Sequence, residues 1–174
     1  MSEAELQRKI QDLENRIRFE NDALSSGLIA VRYSTNAGQT ISQTGKTIVN
    51  YEDKIYDDLG LVTIGAAWLM FVPVTGLYRA TAMNVFAATT AWATGEASGM
   101  YLFKSGAEYT MLDFFDGALA KGENMLAKLK GSDDVIAERG ETLQIQLNNL
   151  SGGDRTLDSA ANMNHVAIHL IRSL

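Results

Sequence analysis

The chain contains no cysteine. That excludes a disulfide framework and any thiolate metal site. Clustered positive charge is missing too. Fifteen Lys and Arg face twenty-one Asp and Glu, for a net charge of −6. Phosphate backbones are bound by clustered Lys and Arg, so nucleic acid is not an expected partner. Lys121, Lys128 and Lys130 come nearest to a basic patch and read as a solvated loop. No run is apolar enough to span a bilayer. The best, Leu59 to Val74, holds two glycines and Pro73 and falls short of the roughly 18–20 residues required. No membrane insertion is expected. The first residues, Met1-Ser2-Glu3-Ala4-Glu5, are polar and acidic, unlike a secretory or transit peptide. Synthesis in a cytoplasm is therefore expected, and the sequon Asn149-Leu150-Ser151 carries no weight.

Catalytic signatures are equally scarce. Gly45-Lys46-Thr47 resembles the end of a phosphate loop, but Thr40 stands where that loop needs glycine, and strand-like Ile48-Val49 follows. The two histidines, His165 and His169, alternate with Val166, Ile168 and Leu170. On a strand they share a face about 13 Å apart, which suits structural histidines better than a shared metal. A ring of His169 side chains around a threefold axis would be a pH-sensitive contact. Asp57-Asp58 and Asp133-Asp134 lack the spacing of a calcium loop and read as solvated turns. No Ser/His/Asp elbow and no carboxylate pair for glycoside chemistry stands out. Trp68, Trp92, Tyr101 and Tyr109 suit a core better than a sugar-binding surface. No catalytic residue, cofactor or metal is expected.

What is present is enough for one domain with an appendage. The 174 residues are 46% hydrophobic. Leu6, Ile10, Leu13 and Ile17 recur every three or four residues, and Leu24 continues the phase. Ser2 and Glu5 form a capping box. The spacing predicts a helix over about residues 3–24, within an appendage of residues 1–25. Such a helix is marginal alone, and its stripe must meet either the body of its own chain or copies of itself. A short coiled coil is the favoured expectation, with Lys9 and Glu14 placed to pair between chains. Ile at a with Leu at d favours two strands, whereas Lys9-Ile10-Gln11-Asp12-Leu13-Glu14 is similar to a trimer-type heptad.

Residues 26–174 carry strand composition broken by Gly, Asn, Asp and Ser. Leu143, Ile145 and Leu147 alternate strictly with polar neighbours in Thr142–Asn148. Further strands are expected at Leu28–Tyr33, Thr47–Tyr51, Ala67–Phe71, Leu77–Phe86, Met100–Lys104 and His165–Ile171. Arg139-Gly140-Glu141 and Ser151-Gly152-Gly153-Asp154 read as turns. Residues 110–130 fit either a broken helix or two strands. In Phe71-Val72-Pro73-Val74-Thr75-Gly76-Leu77-Tyr78, Pro73 extends Val72 and Gly76 is expected to supply the φ of a tight turn. Many short strands at this spacing imply a sandwich or jelly roll.

That Phe-x-Pro-x-x-Gly-x-Tyr segment resembles a signature of the jelly-roll superfamily of tumour necrosis factor and the complement globular heads. Other stretches match in the same order. Ile48-Val49-Asn50-Tyr51 and Ile55 to Gly60 resemble the second strand and its loop. Met100 to Gly106 is similar to the "L-Y-K-N-G" strand and turn. Arg139-Gly140-Glu141-Thr142-Leu143-Gln144-Ile145 resembles the "L-x-x-G-D-x-V-x-V" pair, with Glu141 for the usual Asp. His165 to Ile171 sits where the closing strand belongs. The resemblance implies a mainly β, antiparallel jelly-roll sandwich after the helix, and a homotrimer. Leu6, Ile10, Leu13, Ile17, Leu24 and His169 are then the expected trimerisation residues.

The expected role is a non-enzymatic structural protein on the outside of a bacteriophage virion. Its partners would be capsid or tail proteins, and a host surface glycan or receptor. Capsid decoration or fibre and host-attachment head are equally favoured. A soluble carbohydrate- or receptor-binding ligand is the alternative, followed by a surface-polysaccharide depolymerase, which would need a carboxylate cluster.

Overall fold

A computed structural model describes residues 3–25, 29–65, 67–88, 92–117, 127–160 and 163–174; within the helix, the described side chains are those of residues 5–15, 17 and 18. The helix α1 runs Glu3–Ser25, as its apolar spacing predicts. Ser2 and the Leu24 side chain lie outside the described residues. Thirteen strands follow among the described residues: β1 (Ala30–Thr35), β2 (Thr40–Ile41), β3 (Lys46–Ile48), β4 (Asp53–Asp57), β5 (Val62–Thr63), β6 (Leu69–Phe71), β7 (Gly76–Val85), β8 (Ala97–Lys104), β9 (Ala107–Asp116), β10 (Lys128–Ala137), β11 (Thr142–Asn149), β12 (Arg155–Thr156) and β13 (Asn164–Ser173).

They form two main sheets. The first has the order β10-β7-β13-β1-β4; the second has β5-β6-β11-β8-β9, with β3 also paired to β11; β12 and β2 form a small ribbon. Every pairing is antiparallel. Chain-distant strands lie side by side, β1 beside β13 and β8 beside β11. That crossing over between two sheets makes a jelly roll rather than a meander.

Alternation builds the core. Val31, Tyr33, Tyr78, Ala80, Ala82, Val166 and Ile168 point inward from the first sheet. Met70, Met100, Leu102, Leu143, Ile145 and Leu147 meet them from the second. Each large side chain so buried contributes about 1.5–3 kcal/mol. Trp68, fully buried, lies edge-on between Tyr33 at 6.0 Å and Tyr51 at 5.4 Å. The two tyrosine hydroxyls beside it are hydrogen-bonded. The Tyr33 hydroxyl donates to Asp57 at 3.0 Å, and Tyr51 and Asn84 bond each other at 3.0–3.1 Å. Burial, then the Asp57 carboxylate, pushes the Tyr33 phenol well above its usual range.

The ambiguous 110–130 segment is strand at both described ends: β9 runs to Asp116, and β10 starts at Lys128. Residues 118–126, including Lys121, lie outside the described residues. Lys128 and Lys130 therefore sit on a strand, not in a loop. β10 also closes one side of the sandwich. A Cβ on Gly131 would press against the Leu112 carbonyl oxygen of β9, and the Lys130 amide donates to Asp113 at 2.7 Å.

The Phe71–Tyr78 segment folds for a different reason than expected. Gly76 does not supply a left-handed turn; it opens β7. A Cβ there would lie 2.5 Å from Leu170 Cδ1 and 2.7 Å from the Arg172 carbonyl oxygen. Glycine is needed for close approach to β13, not for φ. Tyr78 reaches back and donates its hydroxyl to the Val74 carbonyl at 2.7 Å, pinning the turn after Pro73, and burial pushes its phenol up to about 12. Gly140 does carry a positive φ of 90° in the expected turn.

Candidate functional site

The described surface offers two places for self-association. The first is the seam of α1. Leu6, Ile10, Leu13 and Ile17 are 45% to 56% exposed, so the stripe is not covered by the chain's own body. Lys9 and Glu14 flank it.

The second is the outward face of the first sheet, which the strand registers lay out as rows. Asp134, Arg79, His169 and Ala30 form one row across β10, β7, β13 and β1. The next is Ser132, Thr81, Ala167, Arg32 and Tyr56, reaching β4. The third is Lys130, Met83, His165 and Ser34. The middle row is small at Ser132, Thr81 and Ala167. Leu77 and Ile136 pair beyond the first row, and Ile171, Ile136 and Tyr56 are exposed. Small groups at the middle, exposed apolar groups beyond the rows, and an Arg79–Asp134 pair that balances itself suit the surface to packing against another protein.

His165 and His169 share this face as their alternation predicts, and His169 is exposed. Arg79 grips Asp134 with two hydrogen bonds of 2.8 and 3.0 Å. The Arg79 bonds first, with smaller help from the charge on His169, hold the Asp134 carboxyl below the usual carboxylate range. Among the described residues no group of three or more His, Asp or Glu is placed to hold a metal ion.

Several sequence readings change. Asp133 and Asp134 lie on β10, not in a turn. Asp57 is buried at 4% exposure; it accepts from the Leu61 and Val62 amides at 2.9 and 3.1 Å as well as from Tyr33. It organises the β4–β5 connection, whereas Asp58 is the exposed turn residue expected. Trp68 and Trp92 are core, Tyr101 is half-buried and Tyr109 is exposed.

Over β3, β11 and β8 the outward face of the second sheet is covered by its own side chains, which the sequence did not reveal, while Met111 and Phe114 of β9 stay exposed beside them. Lys46 on β3 reaches across β11 to sit 4.2 Å from the Tyr101 ring centre and 5.3 Å from that of Phe103, and pairs with Glu108. Tyr101 lies back over Gly99, where a Cβ would meet its ring. Phe103 and Gln144, neighbours in register, are each 8% exposed although they point outward. Lys104 pairs with Glu141 at 3.5 Å.

A further cluster ties loops together. The Arg155 guanidinium stacks 4.6 Å from the Trp92 ring and bonds Glu96 at 2.7 Å and Ser151 at 3.1 Å. Trp92 also meets Phe86 and Phe115 edge-on, each at 5.2 Å. Partial burial pushes the Glu96 carboxyl up. The Ala93 and Gly152 amides and Arg155 outweigh it, leaving the group below its ordinary range. All these groups are mutually satisfied, and the cluster reads as structural.

No family model matches the chain, and no curated protein sequence matches it. Solved structures do. The globular domain of zebrafish complement 1qA protein aligns with a TM-score of 0.58 at 14% identity, over 84% of this chain and 99% of that one. Murine APRIL aligns at 0.56 and 10% identity, over 82% and 98%. Eiger TNF from S. frugiperda aligns at 0.58 and 11% identity, over 84% and 94%. At such identities the likeness is one of fold, and the head of this protein has the jelly-roll fold of the tumour necrosis factor and complement globular heads.

Proposed function

We propose that the chain is a non-enzymatic homotrimer: three α1 helices in a parallel coiled coil carrying three jelly-roll heads, which bind a partner through a threefold surface. The observation that carries this reading is the exposed apolar seam of α1. A 23-residue helix is marginal without partners, and copies of itself supply them in register. The outward face of the first sheet, small at Ser132, Thr81 and Ala167, offers a second surface for the same assembly. The likeness in fold to solved heads agrees with a binding module rather than a catalyst. Sedimentation of the full chain tests it: at micromolar concentration the mass is expected at three times the 19.0 kDa chain. A monomer overturns the proposal.

The setting we propose is the outside of a bacteriophage particle, as decoration, fibre or host-attachment head, with α1 seating the protein. The plan of a short helical anchor on a cysteine-free, acidic head supports it. Imaging labelled protein on particles tests this: density on capsid or tail supports it, and absence from any particle overturns it. The alternative is a soluble carbohydrate- or receptor-binding ligand. It is favoured by Tyr109, Met111 and Phe114, large side chains left exposed along β9.

A further inference from the structure

Two features of the chain place one histidine where three heads meet. The first is the length of the join. Only four residues separate Ser25, the end of α1, from Ala30, the start of β1. Five Cα steps reach at most about 18 Å, so the Ala30 end of the first sheet is the stalk end of each head. The second is register. Ala30 lies opposite His169, and His169 lies opposite Arg79. A bundle of three stalks therefore brings three copies of the Asp134–Arg79–His169–Ala30 row together at its base.

We propose that this junction is an acid-sensitive release: protonation of His169 loosens the trimer. The inference rests on the homotrimer proposed above and names its regulation. The charged groups around His169 are few. From β7 it faces Arg79, whose charge Asp134 of β10 already balances through two hydrogen bonds. From β1 it faces Ala30, with Arg32 in the next row. Along its own strand the next titratable groups are His165, four residues back, and Arg172. No carboxylate other than Asp134 lies in the rows that hold His169 and Arg32. A proton on His169 thus adds positive charge beside Arg79 and Arg32, and Asp134, the carboxylate in its row, is already held by Arg79. In the trimer this happens three times on converging surfaces.

The sign follows from linkage. Like charges brought together favour the neutral imidazole, so the separated chains bind protons more readily than the assembly, and acid drives dissociation. With up to three protons taken up per trimer, the dissociation constant rises by as much as roughly a thousandfold for each unit of acidification over the range in which they bind.

Sedimentation equilibrium of the full chain from pH 8 to pH 5 is the test, run on the wild type, His169→Gln and His165→Gln. The expected result is a trimer at pH 8 that dissociates as pH falls through the imidazole range, a flat curve for His169→Gln, and an unchanged curve for His165→Gln. A wild-type trimer that persists to pH 5 overturns the release while leaving the trimer standing. So does a His169→Gln curve that coincides with the wild type, or flattening by His165→Gln in its place. A monomer already at pH 8 overturns the homotrimer itself. Circular dichroism at each pH separates dissociation from unfolding.

Discussion

The outward faces of the two sheets are built from similar strands and finished in opposite ways. On the second sheet, Lys46 spans β11 to cover Tyr101 and Phe103, Glu108 holds the ammonium, and Lys104 and Glu141 pair nearby. On the first, the middle row is Ser132, Thr81, Ala167 and Arg32, bordered by Met83, His165 and His169, with Leu77 and Ile136 at one end. One face spends long side chains on itself. The other keeps them short over its middle, leaving room for a neighbour.

The comparison breaks most sharply by placing one charge on each face. Ala167→Arg in the middle of the first sheet is expected to weaken assembly at least about 100-fold, because a cation buried between copies lies opposite Arg32 in register, beside His165 and His169, with no carboxylate in its row. Gln146→Glu on the second sheet is expected to leave the sedimenting mass unchanged. Equal effects at the two sites would erase the distinction. The seam that holds the sheets together comes next. Gly131→Ala forces a methyl against the Leu112 carbonyl of β9 and should cost about 3 kcal/mol in urea unfolding.

Arg155→Ala should cost about 2 kcal/mol, leaving Glu96 short of its charged partner and Trp92 of its stacked guanidinium. The Glu96 carboxyl is held below its ordinary range. Its contribution is therefore fully present above about pH 4.3, the unfolded carboxyl value, and is lost as pH falls through the lower folded value. The stability gap between wild type and Arg155→Ala should narrow in acid titrations below pH 4, and a gap that widens there would contradict this account. The smallest effect is expected from Lys46→Ala. It removes a partly exposed ion pair and a cation–π contact and should cost about 1 kcal/mol without changing the mass.

Much of the head is legible in the sequence wherever period two is unbroken. Leu143, Ile145 and Leu147 announce β11, and Val166 and Ile168 put both histidines on one outward face. Legibility fails where the ladder is irregular. β8 and β9 shift register between Met100 and Tyr101 and again between Leu102 and Phe103. Strict alternation is lost there, which is why residues 110–130 fit either a broken helix or two strands in the sequence, and why the exposure of Met111 and Phe114 cannot be read from it. It fails again where a residue's role depends on a distant neighbour. Asp57 reads as a turn acid until Tyr33, 24 positions away, is seen to donate to it. Gly76 reads as a φ requirement until β13 is seen lying against it. The helix seam is legible because four positions repeat locally. The Lys46 cover is not, because it exists only once β3, β11 and β8 lie side by side.

The surroundings of the two tryptophans make the head a reporter on itself. Trp68 sits fully enclosed among tyrosines, and Trp92 sits under a guanidinium where loops meet. Fluorescence from a Trp68→Phe variant would follow loosening of those loops alone, and from a Trp92→Phe variant the melting of the interior. Divergent temperature curves would reveal fraying ahead of collapse, without any attached dye.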